Sequence, residues 1–257
     1  LHGNPMARIF RARARRTFDA SRSELKLKRV MEEYPAPIAR PYAAFRLLES
    51  ESPGPELLRL LSKTFRNTMF LVSAIVFGNY HYLKIRDLKL PEGQTLLELI
   101  DATFNCMALI RSLNLSLVAP GLVETLSLHR QSIQKLAAWS EQIERNQIKE
   151  EEILIHLVTF QFQLDNLLSD LSALSRNLLI YIDPRGEAAT VLHGQDTRKI
   201  DAAEFQKSAE RMQGLSGQTC IYNRSRRVIY AVSEFVSYDP DEQSIRFVLW
   251  QNQMSRS

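Results

Sequence analysis

The sequence predicts an α+β protein: an N-terminal all-α helical bundle followed by a small antiparallel β-sheet domain with one helix. Two observations carry this expectation. Over residues 153–178 the apolar positions Ile153, Leu157, Phe160, Leu164, Leu167, Leu171, Leu174 and Leu178 recur in alternating steps of four and three. That is the average spacing of a helix whose seam faces another helix. Directly afterwards the pattern changes to short runs rich in Ile, Val, Tyr and Thr, bounded by turn signals such as Asp183-Pro-Arg-Gly186, which marks short strands. The chain is expected to divide into a basic arm (1–33), a helical bundle (34–176) and a sheet (177–257) in the order β-β-α-β-β-β.

The second half of the arm carries Leu27, Val30, Met31 and Tyr34 at helical spacing, which predicts an amphipathic helix. Pro35, Pro37 and Pro41 then interrupt the helical signal, because each lacks an N–H and restricts the residue before it. A short helix is expected over 38–49. Ser50-Glu-Ser-Pro-Gly-Pro55 is a turn, with prolines placed to open a helix over 56–76 that ends near Gly78-Asn79. Further helices are expected over 94–118 and from Pro120 to about 145. The latter carries the seam Leu122, Leu126, His129, Ile133, Leu136, Ser140 and Ile143. Residues 146–149 make a short link, so this helix and the 153–178 helix should lie antiparallel, with the 153–178 helix at the bundle's centre. Strands are expected over 178–182, 188–192, 218–222, 228–238 and 244–250, and a helix over 201–212.

The apolar fraction of 45% and charged fraction of 24% are those of an ordinary folded domain. The two cysteines, Cys106 and Cys220, form no CxxC pair or Cys/His cluster, which argues against a zinc site or a disulfide framework and for a reducing compartment. The net charge of +4 is uneven: residues 6–29 carry +7 and the remainder −3. Residues 1–5 read as a cloning remnant before a start at Met6. No apolar core follows the arginines, as a secretory signal would require. The most apolar run, 69–77, is too short to cross a bilayer.

Candidate chemistry is sparse. His81, His129, His156 and His193 have no ligand-spaced neighbour, and no HExxH occurs. His129 falls on an apolar seam, where a hydrogen-bonded polar residue that fixes helix register is the leading reading and a pH-sensing or catalytic role the lesser one. Phosphate-binding loops and nucleophile elbows are absent. Asp239, Asp241 and Glu242 are a thin calcium ligand set and fit solvated turn residues better. The basic arm is the strongest non-structural signal. Arg8, Arg11, Arg13, Arg15, Arg16, Arg22, Lys26, Lys28 and Arg29, with Phe10 and Phe18 among them, suit an acidic protein, a nucleic acid or an anionic lipid surface. Arg224, Arg226 and Arg227 form a second basic cluster.

Arg176-Asn177 resembles the start of the RNase motif of HEPN helical domains, but the histidine that should follow is replaced by Ile182, Asp183 and their neighbours, so the general acid/base is missing. Residues 34–82, through Tyr34-Pro-Ala-Pro-Ile-Ala-Arg-Pro-Tyr42 and the helices after it, resemble helical modules of bacterial multidomain signalling and conflict (defence) proteins. This resemblance implies a bundle used for sensing or assembly and brings no catalytic residues.

The expected function is a non-enzymatic binding or assembly protein without cofactor or metal. It would be a cytoplasmic helical scaffold or sensing subunit of a bacterial complex that meets an acidic partner, a protein first, through the arm. The alternatives are a nucleic-acid-binding subunit of a defence or regulatory complex and a small-molecule sensor domain. A homodimer through the outer face of the 153–178 helix (Ile155, Val158, Phe162, Leu168) stays open.

Overall fold

The computed structural model describes residues 24–49, 54–85, 95–115, 119–201 and 214–248. It is an α+β structure, as the sequence predicts. The helices are α1 (24–33), α2 (Ala36–Leu48), α3 (Pro55–Tyr82), α4 (Leu96–Ser112), α5 (Pro120–Leu128), α6 (Arg130–Glu144), α7 (Ile153–Asp170) and the single turn α8 (Ala173–Arg176). Seven strands follow: β1 (Asn177–Ile182), β2 (Ala188–Val191), β3 (Arg198–Asp201), β4 (Thr219–Asn223), β5 (Val228–Ala231), β6 (Val236–Asp239) and β7 (Ser244–Phe247). The first five form one antiparallel sheet in the order β3-β2-β1-β4-β5, and β6-β7 form a separate hairpin.

The centre of the bundle is α3, which corrects the expectation that the 153–178 helix lies there. Every residue from 68 to 80 is buried, and α3 packs against α2, α4, α6, α7 and β5. Three of its buried polar side chains are small hydroxyls that bond back one turn: Thr64 to Leu60 O, Thr68 to Thr64 O and Ser73 to Met69 O, each at 2.8 Å. Ser73 also meets Thr103 of α4 at 2.7 Å, and Ser62 meets Ser140 of α6. The α4 start is set by a capping box in which Thr95 and Glu98 each bond the other's backbone N–H.

The short helix expected over 38–49 is present as α2, with Pro41 inside it although the sequence reads that proline as an interruption of the helical signal. Without an N–H it leaves the carbonyl of Pro37, four residues earlier, without its helical donor. Asn67 of α3 supplies the replacement, donating its side-chain N–H to Pro37 O at 2.6 Å. Two long helices expected from the sequence are also shorter. The 120–145 helix breaks at His129, and α7 stops at Asp170, with Leu171 carrying the chain into α8 and β1. The seam survives these breaks, since Leu157, Phe160, Leu164, Leu167, Leu171, Leu174 and Leu178 are all buried.

The sheet alternates faces with period two. Leu179, Ile221 and Tyr230 join the helical core, whereas Leu178, Ile180, Ile182, Cys220 and Ile229 form a second cluster. The expected strand over 228–238 is two strands. The chain turns at 232–235, where the N–H groups of Phe235 and Val236 both donate to Val232 O, and this turn directs β6 away from the sheet. Ring contacts hold the β6-β7 hairpin to the core: Phe247 to Phe70 (5.2 Å), Phe235 to Phe77 (5.8 Å) and Tyr238 to Tyr181 (5.4 Å). β3 was not anticipated. The helix expected over 201–212 lies, beyond Asp201, outside the described residues.

Replacing Asn67 by Ala should destabilise the fold by about 1–3 kcal/mol in urea unfolding, because it leaves the Pro37 carbonyl without a donor. In a Pro41→Ala background, where the helix recovers its own N–H, the same substitution should cost markedly less. Equal costs in the two backgrounds would show that Asn67 acts through packing alone.

Candidate functional site

Of the nine basic arm residues, Arg8, Arg11, Arg13, Arg15, Arg16 and Arg22 lie outside the described residues. The other three pair with acids of this chain: Lys26 with Asp170 (3.7 Å), Lys28 with Glu32 (3.7 Å) and Arg29 with Glu33 (2.9 Å). These exposed pairs stabilise little. Leu27 and Val30 of α1 are buried in the core, and the Tyr34 hydroxyl donates to Leu168 O at 2.7 Å, so this part of the arm is built into the fold.

The described histidines are all engaged. His129 sits at the α5–α6 break, where its Nε2 meets Asp170 Oδ2 at 2.9 Å, and the same carboxylate binds Lys26. It joins two helix ends, close to the register role expected of it. His156 stands edge-on to Trp139, and His81 lies 3.7 Å from Glu234. His193 has both ring nitrogens occupied: Nδ1–H donates to Glu33 O (2.6 Å) and Nε2 accepts from Leu179 N–H (2.9 Å). The tautomer follows from chemistry, since a carbonyl only accepts and an amide N–H only donates. Burial is the main cause that pushes the His193 pKa down to about 4, with nearby Arg224 adding to it.

The thiols of Cys106 and Cys220 are free and buried, and burial pushes both up to about 12, which makes them poor nucleophiles. Burial also raises the Asp165 carboxyl, which accepts from the Tyr42 hydroxyl at 2.7 Å. Asn177, beside Arg176, is spent on structure: its Nδ2 donates to Ala173 O and its Oδ1 accepts from Asn223. Asp239 Oδ1 accepts from the backbone N–H groups of Asp241 and Glu242, a turn of the ordinary Asx kind. Among the described residues no group of His, Cys, Asp and Glu could hold a metal ion, and no helix is long and apolar enough to cross a membrane.

Two surfaces stand out instead. On α7 the side chains of Leu154 (55% exposed), Ile155 (69%), Val158 (58%) and Phe162 (66%) face outward, while Leu168 is fully buried. The β4–β5 turn exposes Arg224, Arg226 and Arg227 beside Arg176, whose carbonyl accepts from Arg224 N–H. The sequence flagged Arg224, Arg226 and Arg227 and three of the four α7 residues; it placed Leu168, which is buried, on the outer face in place of Leu154. It missed a cleft between the end of α3 and β5, because its walls come from positions far apart in the chain. No family model, curated protein or solved structure matches this chain.

His193→Ala should destabilise the protein by about 2 kcal/mol at pH 7, since it leaves the Leu179 N–H and the Glu33 carbonyl without partners. The pH dependence has a definite sign. The folded ring resists protonation until about pH 4, whereas the unfolded chain takes up its proton near pH 6.5. Its stabilising contribution is therefore complete above about pH 6.5 and declines by about 1.4 kcal/mol per pH unit as the pH falls toward the folded value. The stability gap between wild type and H193A should shrink as the pH falls below about 6.5 and close near about pH 5. A gap that is constant or widens would contradict a neutral, doubly bonded His193.

Proposed function

We propose that this chain is a non-enzymatic binding or assembly protein, a helical scaffold that works through its surfaces. The observation that carries this reading is the outward stripe Leu154, Ile155, Val158 and Phe162 on α7. Four large side chains, each more than half exposed on one helix, make an apolar patch on the order of 400 Å², comparable to the largest patch on a typical monomer, which is often functional. The helix contains no lysine or arginine, so it lacks the basic flank of a helix that lies on anionic lipid. Its occupant is a second copy of this chain. A two-fold contact sets the same stripe against itself, and none of the four stripe side chains carries a charge to repel its mate. Free, buried thiols suit a reducing, cytoplasmic setting. The resemblance of residues 34–82 to bacterial sensing and assembly modules supports a subunit of a bacterial complex. On this reading the arginines of the arm remain available to an acidic protein partner.

Sedimentation velocity over micromolar concentrations should give a dimer for the full chain. Phe162→Glu should give a folded monomer whose melting temperature is independent of concentration and matches that of the wild type at dilutions where the wild type is itself monomeric. A concentration-independent monomer for the wild type would overturn the α7 assembly.

A second reading, nucleic-acid binding, draws on Arg176 with the three arginines of the β4–β5 turn. It predicts binding that falls steeply with salt, and that R224A/R226A and deletion of residues 6–22 each weaken it and flatten the salt slope. Unaltered binding in both variants would eliminate it.

A further inference from the structure

The last turn of α3 meets the edge strand β5 at a close helix–strand contact. A Cβ added at Gly78 would lie 2.8 Å from Val232 Cγ1 and 3.1 Å from the Tyr230 ring, so only glycine lets the helix approach this far. Beyond Gly78 the two elements diverge and leave a cleft of about 510 Å³, within the range of small-molecule sites. Four rings, His81, Tyr82, Tyr230 and Phe235, belong to its lining, together with Leu215, Gln218 and Ser233. Tyr82 and Tyr230 stand 5.9 Å apart at 38°, and His81 stands edge-on to Phe235, also at 5.9 Å. The Tyr230 hydroxyl is anchored by donation to Ile75 O inside the core, which holds that wall rigid. Glu234 lies at the rim with its carboxylate 3.7 Å from His81, and among the described residues no lysine or arginine belongs to the lining.

This combination selects by charge. The faces of aromatic rings are negative and attract organic cations, and a carboxylate beside them adds to the attraction. Among the described residues, phosphates and carboxylates would find no lysine or arginine there. We infer that the cleft between α3 and β5 is a binding site for an organic ammonium ion with an aromatic or apolar body. The body enters between Tyr82 and Phe235, and the protonated amine meets Glu234. The inference is independent of the α7 assembly, since the two surfaces share no residue.

The test is isothermal titration of the full chain with tryptamine, and with indole-3-acetate as the same ring carrying the opposite charge. Tryptamine should bind saturably at one site and indole-3-acetate at least tenfold more weakly. Glu234→Gln, at a side chain that is 73% exposed, should keep the wild-type melting temperature and weaken tryptamine about fivefold, the size expected of a partly exposed ion pair. Tyr82→Ala should weaken both indoles. Absence of saturable tryptamine binding, equal affinity for the two indoles, or an unchanged affinity in E234Q would each overturn the assignment.

Discussion

A helix enclosed on every side must hide its own polar groups, and that constraint on α3 shapes the rest of the molecule. Water cannot reach residues 68–80, so any polar side chain there needs a partner in the protein. The hydroxyl of Ser or Thr is the smallest solution, because it can bond the carbonyl one turn back and still meet a second hydroxyl across a helix contact. Thr64, Thr68 and Ser73 take the first role, and Ser62 and Ser73 take the second against Ser140 and Thr103. Small residues at these points also let α4 and α6 come close. Phe65, Phe77 and their neighbours fill the spaces between, with Phe65 edge-on to Phe160 of α7. The pairs therefore set which helices touch α3 and in what register.

The sheet is joined to this helical core by backbone as well as by side chains. The link between α1 and α2 lies along the extension of β2: Ala36 N–H donates to Leu192 O and Gly194 N–H to Tyr34 O, both at 2.8 Å. Gly194 has φ +67°, and a Cβ there would lie 2.8 Å from Glu32 O, so the residue is bound to be glycine. His193 completes the joint. Its ring takes the acceptor position that a regular ladder would give to a carbonyl, and it passes a second bond to the end of α1. A histidine buried for this purpose works only while neutral, which explains why its proton affinity is depressed rather than tuned toward physiological pH.

The sequence made the fold class legible and misplaced its centre, for a physical reason. A clean seven-residue periodicity belongs to a helix with one face buried and one exposed, and α7 is such a helix. A helix buried all round has no polar face to create a period, so α3 appears in the sequence as an uneven apolar run with serines and threonines. The positions of β1, β2, β4 and β7 were readable from alternation and from the Asp183–Gly186 turn, whereas β3 was not. The break between β5 and β6 was not, because Val232, Phe235 and Val236 are good strand residues and only tertiary contacts turn the chain there. How α2 tolerates Pro41 was hidden for a related reason: the cost of the proline is local, but Asn67, which compensates for it, is remote in sequence. The candidate surfaces divide in the same way. The α7 stripe and the arginine turn are contiguous or periodic and could be read directly. The cleft combines α3, β5 and the turn after it, and exists only once Gly78 has brought them together.

The α7 stripe is hard to account for by folding alone. Ile155, Val158 and Phe162 make little contact with the core. On a solvated helix face, Glu, Lys or Gln at those positions would have higher helix propensity and would not expose apolar surface to water. Isolated exposed apolar residues are common and need no explanation. Residues spaced by three and four on one helix, with Leu154 alongside, are not isolated: they repeat on the outside the geometry that the buried seam uses on the inside. The inner seam meets α3 and α6. The outer one has the same chemistry but, among the described residues, no such neighbour, so the spacing that packs one side of α7 is carried unused on the other.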